Sequence, residues 1–216
     1  MKSTLVFIAL VAVVLGVDTC SNNDVNGLLT CYRTYLSGYG ITMKDKLVHY
    51  WDEFHQIRTA MLDQQGRAVQ PKICNLGNAL GQCTGQYSCL SQDTFVTMGA
   101  NQTEKLQWAL DLNLTIYQCG PGYNTLMADF YCIHACAEHQ SNTIDQCTTD
   151  MNNAINNGTD ACVALNQMIQ CESAIFAAYC DYNAGVFQCG GDVAFFSVNN
   201  PECKNKMLTC PNYQMF

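Results

Sequence analysis

Apolar residues recur at intervals of three and four along most of this 216-residue chain. That spacing places them on one face of an α-helix. In the segment 21–36 the apolar positions are Val25, Leu28, Leu29, Tyr32, Tyr35 and Leu36. Ser21 or Asp24 can cap the start of this helix, and two glycines follow it. A second helix is predicted over 43–65, with Leu47, Trp51, Phe54 and Met61 as its apolar stripe and Lys44, Asp45, Asp52, Glu53 and Arg58 on its polar face.

The same periodicity predicts further helices in the rest of the chain. One short helix and a loop are predicted over 74–89, a helix from Asn101 to Tyr117, another over 126–137, and a short polar one over 144–155. Asn101 and Glu104 have the spacing of a capping box. Strand-like residues occur only over 93–98 and 193–198. The sequence therefore predicts a mostly α fold.

Residues 159–189 are predicted to form one central helix that carries four cysteines at nine-residue intervals: Cys162, Cys171, Cys180 and Cys189. Nine residues of helix turn about two and a half times and rise about 13 Å. Successive cysteines would then face opposite sides and lie too far apart to bond each other. Each is expected to bond a different neighbour. The segment 189–216 contains paired glycines and two prolines, which predicts an irregular, cysteine-rich C-terminal tail.

Composition explains what would stabilise such a fold. The chain has fifteen cysteines, namely Cys20, Cys31, Cys74, Cys83, Cys89, Cys119, Cys132, Cys136, Cys147, Cys162, Cys171, Cys180, Cys189, Cys203 and Cys210. This density indicates an oxidising compartment and a disulfide-stapled helical bundle, with each bridge contributing about 2–4 kcal/mol. One cysteine remains after seven bridges, so we expect either a free thiol or a disulfide-linked homodimer. Connectivity is not set by the spacing.

The N-terminal residues 1–16 have the features of a signal peptide: Lys2, an apolar run over 5–15, and small residues near position 16. No second long apolar run predicts a membrane span. The sequons at Asn101, Asn113 and Asn157 predict N-glycosylation. Removal of Lys2 takes the net charge from −8 to −9, which disfavours nucleic acid and anionic membranes as partners. We expect residues 17–216 to form a secreted, glycosylated, helical domain.

Cysteine spacing also suggests an internal duplication, over 20–119 and 136–189. The intervals between Cys20 and Cys31 and between Cys74 and Cys83 recur between Cys136 and Cys147 and between Cys162 and Cys171. The segments CNLGNALGQC and CVALNQMIQC share asparagine at the fifth position and glutamine at the ninth: Asn78 and Asn166, Gln82 and Gln170.

Two groups of residues could carry chemistry. Cys132, His134, Cys136, Glu138 and His139 are metal-ligand types on one helix, but in a secreted chain we expect the cysteines to be oxidised. His49, Asp52, Glu53 and His55 are expected to form a solvated helix face. No metal, cofactor or catalytic residue is assigned.

The order Cys119-Gly-Pro-Gly122, Cys132, His134, His139 resembles secreted phospholipase A2 enzymes, without their His-Asp step. That resemblance implies a calcium-dependent hydrolase in which His134 or His139 lines a concave site with a carboxylate. The run Cys162, Cys171, Cys180 and the segment Leu29-Thr-Cys31-Tyr resemble the nematode secreted helical cysteine-rich domain related to chondroitin proteoglycan 4. This second resemblance implies an extracellular protein without catalysis.

The favoured hypothesis is a secreted non-enzymatic glycoprotein that presents a disulfide-rich scaffold to an extracellular protein or glycan. A phospholipase A2-like hydrolase is the first alternative. The second is a carrier of a small apolar ligand, with a cavity lined by Trp51, Phe54, Leu106 and Leu110.

Overall fold

A computed structural model describes residues 19–211 of the protein, so the predicted signal peptide lies outside the described residues. The helices are α1 (Asn22–Ser37), α2 (Tyr50–Gln65), α3 (Gln70–Thr84), α4 (Gln92–Thr97), α5 (Gln102–Cys119), α6 (Tyr123–His139), α7 (Ser141–Asn156), α8 (Ala161–Tyr179) and α9 (Tyr182–Asn199). Two 3-10 turns cover Gly66–Val69 and Pro201–Lys206. Across 19–211 the backbone contains no strand, which confirms the mostly α prediction. Within the same range, no helix has both the length and the hydropathy that crossing a bilayer would require.

Side-chain caps explain where several helices begin. Ser21 and Asp24 form a capping box at the start of α1. The predicted capping box of Asn101 and Glu104 is present at the start of α5, where the Asn101 side chain accepts bonds from two backbone amides. Asp160, one residue after the predicted start of the central helix, caps α8. Each cap satisfies amides that the helix itself leaves unpaired.

The prediction of one continuous central helix was wrong. The chain turns at Cys180, and Asp181 caps a second helix, α9, that packs antiparallel to α8. Gly185 permits the close approach, because a Cβ there would lie 2.7 Å from the Ser173 carbonyl oxygen and from Ala177. Apolar periodicity continues through this turn, and for that reason the sequence pattern did not indicate a helix end at Cys180 or a cap at Asp181.

The predicted irregular tail is shorter than expected, because residues 189–199 belong to α9. Gly190 is helical and allows α9 to pack on α5: a Cβ at this position would meet the Tyr117 ring at 2.3 Å. Glycines inside a helix can thus mark a close helix crossing rather than a loop. The cysteine-rich tail begins at Asn200 and is held by the Cys162–Cys203 and Cys189–Cys210 disulfides.

The seven disulfides form two sets, one within residues 20–119 and one within residues 132–210, and no disulfide links the two segments. The N-terminal set joins Cys20 to Cys89, Cys31 to Cys83, and Cys74 to Cys119. The C-terminal set joins Cys132 to Cys180, Cys147 to Cys171, Cys162 to Cys203, and Cys189 to Cys210. The four cysteines of segment 159–189 bond four different partners, as predicted.

The order of bonding repeats between the two sets. In the N-terminal set, the first cysteine bonds the fifth, the second the fourth, and the third the sixth. The same order holds for Cys132, Cys147, Cys162, Cys171, Cys180 and Cys203. The shared asparagines also have matching roles. Asn78 donates to the Cys119 carbonyl at 3.5 Å, and Asn166 donates to the Lys206 carbonyl at 2.9 Å.

Each half has its own apolar core. The N-terminal core is the larger and is dominated by rings in edge-to-face or stacked contact: Tyr32, Tyr35, Tyr39, Trp51, Phe54, Phe95 and Trp108. The C-terminal half has smaller clusters centred on Phe130, Phe176 and Ile169. Contacts of α5 with α9 and α6 join the halves.

Candidate functional site

A cavity of about 220 Å³ lies where α2, α3, α5 and α6 meet. Its polar lining residues are Arg58, Gln70, Thr115, Gln118 and His134, and its apolar ones are Leu62, Ile73, Leu126 and Phe130. Small-molecule sites combine an apolar wall with convergent polar groups that fix the ligand's orientation, and this cavity has both. This cavity is therefore the candidate site.

Arg58 is held at this cavity by two contacts. It follows Phe54 by one helical turn, and its guanidinium carbon lies 4.8 Å from the centre of the Phe54 ring. Nη1 forms an ion pair with Oδ1 of Asp111, a side chain only 3% exposed. The other oxygen of Asp111 accepts a 3.4 Å hydrogen bond from the Tyr35 hydroxyl. The sequence placed Arg58 on the polar face of α2, but the structure largely buries it.

The opposite charges of Arg58 and Asp111 stabilise each other. Burial acts to lower the pKa of Arg58, but the Asp111 carboxylate, with Tyr35 and Tyr39, outweighs burial and raises it above its usual value. Burial, and then Asp111, raises the pKa of Tyr35 well above its usual value. At neutral pH Arg58 is therefore charged, and Tyr35 and Tyr39 are neutral.

Two buried polar side chains face the same cavity with little or no bonding of their own. Gln70 is 5% exposed, and its amide donates only to the Cys74 sulfur at 3.6 Å. Thr115 is 4% exposed, and its hydroxyl forms no hydrogen bond within residues 19–211. The Thr115 methyl packs against Gly77, where a Cβ would lie 2.1 Å away. The glycine thereby allows α3 and α5 to approach at the cavity wall.

His134 lies at the exposed rim of the cavity, with its ring 4.3 Å from that of Phe130. Burial lowers the pKa of His134 and Asp63 acts in the opposite direction, so the imidazole is neutral at pH 7. The phospholipase hypothesis expected a carboxylate and calcium here. The charged lining group is instead the guanidinium of Arg58, whereas Ca²⁺ prefers oxygen ligands.

The other residues singled out in the sequence are not assembled into one site. Cys132 is bonded to Cys180, and His139 is exposed at the end of α6. Among residues 19–211, no group of three or more His, Cys, Asp or Glu is placed to hold a metal. His49, Asp52, Glu53 and His55 are exposed on and just before α2, as expected of a solvated face.

The region expected to hold a carrier cavity is filled by aromatic rings. Trp108 is fully buried there, with ring centres 5.0 Å from Trp51 and 5.4 Å from Phe54. Leu106 and Leu110 are half-buried at its edge. A carrier would have to use a different part of the molecule.

A pair of acidic side chains that the sequence did not indicate lies between α8 and α9. Gln188 donates to Oε2 of Glu172 at 3.3 Å and to Oδ1 of Asp192 at 2.7 Å. Burial, and then the charge of Glu172, raises the pKa of Asp192 well above its usual value. The i, i+4 spacing of Gln188 and Asp192 on a helix could have indicated this contact. It was missed because residues 189–216 were expected to be irregular.

The three predicted glycosylation sites differ in accessibility. Asn101 and Asn157 are exposed at a helix start and a helix end. Asn113 is half-buried within α5, and its side-chain nitrogen donates to the Ala109 carbonyl at 2.8 Å. Glycan addition needs that nitrogen, so the fold favours the first two sites.

The unpaired cysteine is Cys136, which is 0% exposed in the core of the C-terminal half. Burial raises the pKa of its thiol. The predicted homodimer could not form through this sulfur without opening the core.

Charge is divided unequally along the chain. Between Lys105 and Lys204 there is no Lys or Arg, while ten Asp or Glu residues occur. Glu138, Asp145, Asp150, Asp160 and Asp181 are exposed on or beside α6 to α9. The C-terminal half therefore presents an acidic surface.

No protein-family model, curated protein or solved structure is significantly similar to this chain.

Proposed function

We propose that this protein is a secreted, glycosylated, non-enzymatic binding protein whose disulfide-linked helices present a fixed surface to a cationic extracellular protein. The observation that carries the proposal is the pairing of fourteen of fifteen cysteines. These bonds link α1 to α3 and α3 to α5 in the N-terminal half, and α6 to the end of α8, α7 to α8, and α8 and α9 to the tail in the C-terminal half. Such a framework suits an oxidising, extracellular environment.

The partner class follows from charge. The acidic C-terminal half attracts positively charged surfaces and repels sulfated glycans, nucleic acid and anionic lipid. Rigid presentation lowers the conformational entropy cost of binding, because the helices are already ordered before the partner arrives. The predicted signal peptide and the resemblance to nematode secreted domains are consistent with this role.

The test is binding of the purified secreted protein to immobilised poly-lysine and, separately, to chondroitin sulfate, each over a range of salt concentrations. We expect salt-sensitive binding to poly-lysine and none to chondroitin sulfate. The variant Asp145→Asn/Asp150→Asn removes two exposed charges from α7 and should weaken binding about threefold or more. The matched control Asp52→Asn/Glu53→Gln removes two exposed charges from α2 and should have a smaller effect.

Equal effects of the two variants, or preferential binding to the sulfated glycan, would overturn the proposed partner class. The proposal of a non-enzymatic protein fails separately if the purified protein hydrolyses phospholipid vesicles only with calcium, and if His134→Gln abolishes that hydrolysis.

A further inference from the structure

We propose that the cavity between α2, α3, α5 and α6 binds a small molecule with one carboxylate on an apolar body. This site is distinct from the acidic surface of the proposed function and does not depend on it. Three observations carry the inference: an arginine with unused donors, two buried polar side chains without adequate partners, and an apolar wall opposite them.

Arg58 provides the anchor for the carboxylate. A guanidinium has five N–H donors in a planar fork, and the Arg58 side chain bonds one acceptor group, Asp111, through Nη1. The remaining donors belong to a side chain that lines the cavity. Asp111 fixes the guanidinium from one side and is itself bonded by Tyr35, so the fork is held in place before a ligand arrives. Planar, bidentate recognition of a carboxylate is the role to which arginine is best suited.

Gln70 and Thr115 supply the second part of the argument. Both are at least 95% buried and both line the cavity. Thr115 has no hydrogen bond within residues 19–211, and Gln70 has only its contact with the Cys74 sulfur. Neither side chain has a polar atom that is sealed from solvent without a partner, so the polar atoms of both are open to what the cavity holds. Their hydroxyl and amide donors can complete the shell around the oxygens that Arg58 binds.

The size, shape and charge of the cavity restrict the ligand further. About 220 Å³ corresponds to roughly seven water molecules, which is below the range for drug-sized ligands. Leu62, Ile73, Leu126 and Phe130 offer an apolar wall for a short alkyl chain or one ring. One guanidinium, already paired with Asp111, and a neutral His134 suit a single negative charge rather than a phosphate dianion.

The probes are hexanoate and phenylpropanoate, measured by isothermal titration calorimetry up to millimolar concentration, with phenylpropanamide as the neutral match. We expect saturable binding of at least one carboxylate and binding of the amide that is about tenfold weaker or more. Absence of binding by both carboxylates would overturn the proposal and would mean that the cavity holds only water. Equal binding of carboxylate and amide would overturn the role of Arg58.

Variants locate the site. Thr115→Val keeps the side-chain shape and the packing against Gly77, removes the hydroxyl, and should weaken binding about threefold or more. Arg58→Gln/Asp111→Asn removes both charges together, so that neither remains buried alone, and should weaken binding about tenfold or more. Arg67→Gln removes an equal charge from an exposed residue bonded to the Met127 carbonyl, and should leave binding unchanged. If the Arg67 variant weakens binding as much as the cavity variants while those remain folded, the ligand binds elsewhere and the proposal is wrong.

Discussion

The Arg58–Asp111 ion pair gives the sharpest test of how the N-terminal half is held together. Asp111→Asn preserves the shape of the side chain but leaves the guanidinium of Arg58 largely buried without a counter-charge. Breaking a buried pair from one side costs about 3–5 kcal/mol, most of it from the charge left unpaired. The Tyr35 hydroxyl loses a charged acceptor at the same time.

The chain contains its own control. Lys105 and Asp93 form an ion pair at 3.1 Å in which the aspartate side chain is 90% exposed. An exposed pair of this kind contributes less than about 1 kcal/mol, so Asp93→Asn should have little effect. The double variant Arg58→Met/Asp111→Asn should be milder than Asp111→Asn alone, because no isolated charge remains buried.

The assay is urea unfolding with the disulfides intact, followed by circular dichroism and fluorescence for the wild type and all four variants, including Arg58→Met. The free energies of unfolding then give a double-mutant cycle for the pair. A cost of Asp111→Asn within about 1 kcal/mol of that of Asp93→Asn would refute the reasoning. So would a double variant that, relative to the wild type, is destabilised by the full sum of the two single effects.

Three further predictions follow from burial. Asp192 is 8% exposed, and its pKa is raised in the folded protein. The folded protein therefore keeps a proton on Asp192 at pH values where the unfolded chain has released it. The free energy of unfolding falls as the pH rises from about 4, near the pKa of an unfolded aspartate, through the pKa of Asp192 in the folded protein. Asp192→Asn should therefore raise the free energy of unfolding at pH 8 and reduce its pH dependence, as urea unfolding at several pH values would show. Glycopeptide mass spectrometry of secreted protein should find high occupancy at Asn157 and low occupancy at Asn113; the reverse would contradict the fold. Iodoacetamide should leave Cys136 unlabelled in the native protein and label it in urea without reductant, whereas rapid native labelling would show that the thiol is accessible.

Local signals in the sequence predicted several elements well. The apolar spacing around Leu28 and the cap at Ser21 located α1, and the Asn101–Glu104 capping box located α5. These elements depend on neighbouring residues only, so periodicity and caps were sufficient. The start of α2 was predicted seven residues too early, because Met43 and Leu47 are buried as the stripe requires but lie in an irregular segment.

The features that sequence could not provide depend on contacts between distant residues. The break between α8 and α9 was missed because apolar periodicity runs through Cys180. Arg58 has helical neighbours typical of a solvated face, and only Asp111, more than fifty residues away, makes its burial favourable. The cavity could not be predicted for the same reason: its lining comes from four helices.

The internal duplication stays a prediction, and the repeated order of bonding supports it. The counterpart of Cys20 in that order is Cys132, one helical turn before the Cys136 that the spacing had suggested. On this alignment Cys136 and the Cys189–Cys210 bridge are additions to the second copy. Six cysteines allow fifteen connectivities, so agreement between two sets is informative.

The account as a whole depends on the two separate sets of cross-linked helices, and disulfide mapping tests it most directly. The protein would be unfolded in urea without reductant at low pH, its free thiol blocked with a reagent that is active at that pH, and the chain digested without reduction, so that mass spectrometry identifies the linked peptides. We predict the seven pairs described above, with Cys136 as the single thiol. A bridge between a cysteine of segment 20–119 and one of segment 132–210, or a preparation with most thiols reduced, would contradict it.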